Sequence, residues 1–172
     1  WAALSALREL AQPADAQLLA QCLLPREPAA AVEAPELAAE RAEAVWALAA
    51  LLDREPALLL AASLADRLLA LTRDDRSPVV RIAAIQALMA YCPGPPVSAA
   101  LRLIAQTETE AAPAWAAAIA LFQSQPAAYA RLLLAVHRRS PPPAEYDELY
   151  TQLALLADEA ALREIGRASC RE

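Results

Sequence analysis

The sequence predicts an all-α fold. Ala (47 residues) and Leu (30) dominate a chain of 172, while Val numbers six and Gly two. Ala and Leu are among the strongest helix formers, and the β-branched residues that suit a pleated surface are scarce, so a sheet would oppose local preference almost everywhere. The fourteen prolines are the second observation. They fall at intervals that suit helix starts and turns, where Pro is tolerated, rather than helix interiors, where it is disruptive. The third is that 58% of the chain is hydrophobic, which is enough to offset the ordering entropy and to set the chain apart from disordered sequences.

Reading between the prolines gives nine helices in order. The first runs from Trp1 to Ala11 and stops before Pro13; the second, Asp15 to Leu24, stops before Pro25. A long helix from Glu36 to Leu52 follows Pro35, and the next, Pro56 to Thr72, opens on its own proline. Pro78 to Tyr91 is preceded by the turn sequence Asp74-Asp75-Arg76-Ser77 and followed by Pro93-Gly94-Pro95. Pro96 to Ala105, Ala111 to Gln123, Pro126 to Arg138 and Ala144 to Ala157 complete the series.

Charge and residue usage exclude several classes. The net charge is −6 and the longest basic run is Arg138-Arg139, which gives no footprint for a phosphate backbone, so direct nucleic-acid binding is not expected and basic partners are the better electrostatic match. The two charge-free stretches, Ile82–Leu101 and Ala111–Ala130, are broken by Pro93-Gly94-Pro95-Pro96 and by Gln123-Ser124-Gln125-Pro126, so neither reads as a membrane span. Cys22, Cys92 and Cys170 are far apart and odd in number, beside a single His137. That pattern argues for a reducing compartment and against a disulfide framework or a zinc site. The last nine residues, Glu164 to Glu172, back-translate to a string resembling a short-read sequencing adapter. Residues 1–163 are therefore expected to be an internal piece of a longer protein, with residues 164–172 a non-native tail.

Helical repetition is visible. Arg41-Ala-Glu-Ala-Val-Trp-Ala-Leu aligns with Arg81-Ile-Ala-Ala-Ile-Gln-Ala-Leu at a period of 40 residues, and the Ala-Leu pair recurs at Ala6-Leu7 and Ala120-Leu121. Two helices per unit at this spacing is the mark of a helical-hairpin solenoid. The clearest unit, Pro56 to Tyr91, carries Asp75 in its turn, then Val80 and Arg81, then small residues at Ala83, Ala84 and Ala87. This arrangement resembles a HEAT repeat, and implies an α-solenoid of about four to five antiparallel hairpins. The resemblance implies a ladder in which Asp75 accepts hydrogen bonds across the turn while the arginines, Arg81 and Arg41, pair with acids or carbonyls of a neighbouring repeat. The unit before it keeps Arg41 but has Pro35 where the aspartate would stand.

The succession of features from Arg41 to Cys92, including Trp46, Pro56-Ala-Leu-Leu and Ser77-Pro-Val-Val-Arg81, is similar to the central region of receptors of the importin-β (karyopherin) superfamily. That resemblance implies a nuclear transport receptor working between cytoplasm and nucleus. It implies basic protein cargo such as histones, with Ran and nuclear pore proteins engaged through the full-length molecule. A HEAT scaffold subunit of a phosphatase or chromosome complex, and a HEAT-type bilin lyase, are the alternatives.

Candidate site residues are few. Glu36, Glu40 and Glu43 are spaced i, i+4, i+7 and share one helix face, with Leu37, Ala44, Val45, Leu48 and Leu52 on the other. On a concave solenoid wall they could meet a basic cargo; a solvated face with acids near the helix N-terminus is the simpler account of them. Trp46 and Trp115 read as core fillers rather than as an aromatic binding platform. His137 reads as a helix-end cation, and Cys92 as a small buried hydrophobe. Asp74-Asp75 and Glu108 to Glu110 read as turn residues. There is no Gly-rich phosphate loop, no Cys or His pair at ligand spacing and no nucleophile with its base, so no enzyme activity, cofactor or metal is expected.

Overall fold

The computed structural model describes residues 11–23, 34–54, 61–91 and 93–141. All regular structure among them is helical. Contacts divide the chain into two compact units that meet at the Val97/Ser98 bond.

In the first unit, a single 3-10 turn, Pro13–Asp15, leads into α1 (Ala16–Cys22). This start is shorter than the sequence predicts: the Asp15 carboxylate turns back to accept the Gln12 N–H at 2.8 Å, and its own N–H donates to the Gln12 carbonyl at 2.8 Å. Such local bonding competes with the helix ladder and delays it. Ala11, expected at the end of a first helix, is non-helical, and the rest of that segment lies outside the described residues.

The helix α2 spans Pro35–Arg54, with Glu36 in its first turn and Arg54 in its last. Both charges complement the helix dipole. Its inner face is made of Ala38, Ala42, Ala44, Val45, Ala47, Leu48, Ala49 and Leu51, all buried. The following helices are α3 (Ala61–Asp74) and α4 (Pro78–Tyr91), joined by the short turn Asp75–Ser77. In that turn Asp75 Oδ1 accepts the Ser77 N–H at 2.9 Å, and the Arg81 N–H bonds back to the Ser77 carbonyl at 3.1 Å. Pro78 sits at the first helical position, where its missing N–H costs nothing.

The packing order is specific. Helix α2 lies against α1 and against α4, and α4 lies against α3. Arg54, at the C-terminal end of α2, donates to the Ala11 carbonyl ahead of α1 at 3.0 Å, while Arg41, nearer the start of α2, points at the Leu23 carbonyl after α1. The two helices are therefore antiparallel. Small buried residues on both helices, Ala44, Ala47 and Ala49 on α2 and Ala83, Ala84 and Ala87 on α4, suit close packing, and the buried Val45, Leu48, Ile85 and Leu88 add bulk to the core.

The second unit holds most of α5 (Pro95–Thr107), then α6 (Ala111–Ser124) and α7 (Pro126–Arg139). Helix α6 is buried on nearly every side, with Pro113 through Ile119, Leu121 and Phe122 all inaccessible. An apolar helix with no charged residue behaves this way when it forms the centre of a helical layer. Pro113 is tolerated because it falls in the first turn, where N–H groups have no helical partner. Only Gln125 separates α6 from α7, and its carbonyl starts the new helix by accepting the N–H groups of Ala128 and Tyr129. The indole N–H of Trp115, near the start of α6, donates to the Ser140 carbonyl just past α7 at 3.2 Å, which makes this pair antiparallel. Arg139 at the end of α7 donates to the carbonyls of Ala105 and Gln106 at the end of α5, at 2.8 and 2.5 Å, so α5 and α7 run in the same direction.

Six of the predicted helices, from Asp15–Leu24 to Pro126–Arg138 with the exception of Pro56–Thr72, match observed elements to within about two residues at each described end. For Pro56–Thr72 the observed helix continues to Asp74, and residues 55–60 are outside the description. Ala144 to Ala157, Cys92 and the tail from Glu164 to Glu172 likewise lie outside the described residues.

Candidate functional site

The predicted ladder residues come together around one aspartate. Asp75 is buried, its side chain 2% exposed, and receives Arg41 of α2 as a two-pronged ion pair: Nη2 to Oδ1 at 2.9 Å and Nη1 to Oδ2. The same Nη1 lies 3.5 Å from the Leu23 carbonyl. Arg81, also buried, donates through Nη1 to the carbonyls of Asp75 at 2.7 Å and Arg76 at 3.4 Å. Val80 is fully buried beside it. Asp75 thus accepts across its own turn, and the arginine that reaches it from another helix is Arg41. These two Arg81 bonds lie within its own turn. Pro35 in place of an acid does not deprive Arg41 of a partner, because the partner is supplied by the turn of the hairpin that follows.

The acidic stripe occupies the opposite side of α2. Glu36 and Glu40 are exposed; Glu43 is half-buried, with one carboxylate oxygen screened from water. Ala44, Val45 and Leu48 are inaccessible on the inner face, Leu37 is half-buried, and the side chain of Leu52 is outside the description. The stripe is graded rather than uniform. Trp46, one turn beyond Glu43, is half-buried, whereas Trp115 is fully buried. The core-filling role therefore holds completely for Trp115 and only in part for Trp46.

The remaining candidates are dispersed. His137, near the end of α7, stands edge-on to the Trp115 indole with ring centres 6.0 Å apart and planes at 72°, a packing geometry favoured by aromatic quadrupoles. Cys22 is half-buried at the end of α1. Asp74 is exposed at the end of α3, and Glu108 uses its carboxylate to hold the Glu110 N–H at 3.0 Å in the turn before α6. Among the described residues no group of His, Cys, Asp and Glu is placed to hold a metal ion, and no helix is long and apolar enough to cross a membrane. One interaction escaped the sequence reading: Arg102 of α5 lies 5.4 Å from the Tyr129 ring centre on α7, with Nη2 at 3.5 Å from the phenol oxygen.

Compared with protein-family models, with curated proteins and with solved structures, the chain gives no match.

Proposed function

We propose that this chain is a protein-binding segment of a HEAT-type α-solenoid. The observation that carries the reading is the Arg41–Asp75 pair, which reaches from α2 to the turn of the next hairpin while α2 and α4 pack side by side. Stacking of each second helix on the second helix of the next hairpin is how a solenoid extends, and it leaves a continuous surface for a partner. The acidic balance and the Glu36, Glu40, Glu43 stripe favour a basic protein on that surface.

Within this reading, the motif succession from Arg41 to Cys92 supports a segment of an importin-β-type nuclear transport receptor, similar to importin nine, that carries basic cargo under the control of Ran. The test is the association rate of a histone dimer with the 172-residue chain at two ionic strengths, for wild type and for Glu36→Gln/Glu40→Gln/Glu43→Gln. Single exposed ion pairs contribute about 0–1 kcal/mol, so the triple substitution is expected to slow association several-fold at low salt and to flatten the salt dependence. Equal rates at both ionic strengths would remove the stripe from the binding surface.

A further inference from the structure

Two serines of the chain precede a proline, Ser77 and Ser140, and each follows an arginine. Their settings differ. Ser77 lies in the short turn between α3 and α4, just after Asp74 and Asp75; the Asp75 carboxylate accepts its N–H, and its carbonyl accepts the Arg81 N–H. Ser140 directly follows α7, behind Arg138 and Arg139, and its backbone is already extended, with φ −151° and ψ 128°. A following proline favours that conformation. The Ser140 N–H donates to the Val136 carbonyl and its carbonyl accepts the Trp115 indole N–H, while its hydroxyl takes part in neither bond. Ser140 is half-buried, and Pro141 beside it is exposed.

We propose that Ser140 is the acceptor site of a proline-directed serine/threonine protein kinase, and that the added phosphate draws Arg139 off the end of α5. A kinase groove takes an extended chain, and Pro141 brings no N–H that would need a partner there. In the transfer, Ser140 Oγ attacks the γ-phosphorus of magnesium-bound ATP. The Oγ–P bond forms, the bond from that phosphorus to the β–γ bridging oxygen breaks, ADP leaves, and the hydroxyl proton passes to the catalytic-loop aspartate of the kinase. Access requires the last turn of α7 to open, and helix ends open at the least cost. The same access at Ser77 would separate α3 from α4, which pack against each other, and would bring the triphosphate up to two carboxylates. The product carries a charge of about −1.5 to −2 at neutral pH, one residue from Arg139. That guanidinium rests on the uncharged carbonyls of Ala105 and Gln106. A phosphate is the stronger acceptor for a planar fork, and at a helix C-terminus it opposes the dipole until a cation covers it. Arg139 therefore turns to the phosphate, and α5 loses this tie to α7. The proposal depends neither on the solenoid reading nor on basic cargo.

The test incubates the folded 172-residue chain with magnesium, radiolabelled ATP and, in parallel, a purified cyclin-dependent kinase and a purified mitogen-activated kinase, and locates the phosphate by mass spectrometry. Phosphate is expected at Ser140. Incorporation is expected to be lost in Ser140→Ala and in Pro141→Ala and retained in Ser77→Ala, with far-UV circular dichroism verifying that each variant is folded. The phosphorylated chain is expected to melt about 2–4 °C below the unmodified one, the shift that loss of one such tie makes in a chain of this length. Arg139→Gln is expected to show a similar fall without phosphate and no further fall with it. No incorporation by either kinase, incorporation only after urea denaturation, or phosphate on Ser77 in place of Ser140 would overturn the assignment of the site. An unchanged midpoint on phosphorylation, or an equal further fall in Arg139→Gln, would overturn the part given to Arg139.

Discussion

Replacing Asp75 by Asn keeps the side-chain shape and the Oδ1 acceptor for Ser77 while removing the charge that neutralises Arg41. Both members of the pair are buried, the Arg41 side chain 5% and the Asp75 side chain 2% exposed, so water cannot take over. The Leu23 carbonyl, 3.5 Å from Nη1, is a long and uncharged acceptor that does not replace the carboxylate. Removing one partner of a buried pair costs about 3–5 kcal/mol, because the other charge stays desolvated. At the sensitivity typical of a chain this size that amounts to a fall of about 6–20 °C in the thermal midpoint. Asp74→Asn is the matched control: the residue is adjacent, loses the same charge and is exposed, so its effect is expected within about 0.5 kcal/mol. Replacing the pair together, Arg41→Met with Asp75→Leu, is expected to recover most of the loss, since two apolar groups leave no stranded charge. Urea unfolding followed by far-UV circular dichroism measures all four proteins. If Asp75→Asn and Asp74→Asn unfold at the same urea concentration, the ion pair does not hold the hairpins together and the reasoning is refuted.

Other substitutions probe the two units separately. Leu88→Ala empties a fully buried site on α4 and is expected to cost about 2–5 kcal/mol in denaturant unfolding. Trp115→Phe retains the ring but removes the bond to the Ser140 carbonyl, an expected loss of about 1 kcal/mol, against about 3–5 kcal/mol for Trp115→Ala; thermal midpoints separate the two. Arg139→Lys cannot span both the Ala105 and Gln106 carbonyls with a planar fork, and is expected to lower stability by about 0.5–1.5 kcal/mol in the same assay.

The helices were legible because proline punctuates them. Pro78 and Pro126 start α4 and α7 where the sequence places them, and α2 and α5 begin one residue early, at Pro35 and Pro95. The start of α1, one residue later than predicted, has a physical origin in the Asp15–Gln12 bonding that holds a 3-10 turn in place. The 40-residue period located Arg41 and Arg81 at equivalent positions but did not reveal that their bonds differ. Arg41 reaches 34 residues along the chain to Asp75, while Arg81 turns back six to the Asp75 carbonyl. Partner choice of this kind depends on how hairpins lean on each other, which no local pattern encodes. The same holds for Arg102 with Tyr129 and His137 with Trp115, whose partners lie 27 and 22 positions away in sequence. Glu36, Glu40 and Glu43 all fall on α2, but the difference in exposure between Glu40 and Glu43 arises from the neighbouring helices rather than from spacing.

The fork of Arg41 also governs how the first unit opens. One guanidinium touches the end of α1 at Leu23 and the α3–α4 turn at Asp75 while rooted in α2. Any fluctuation that frees α2 must release both at once. Native-state hydrogen exchange would then report the amides in the middle of α2 and of Ser77, whose N–H rests on the Asp75 carboxylate, as a single opening event with a shared free energy.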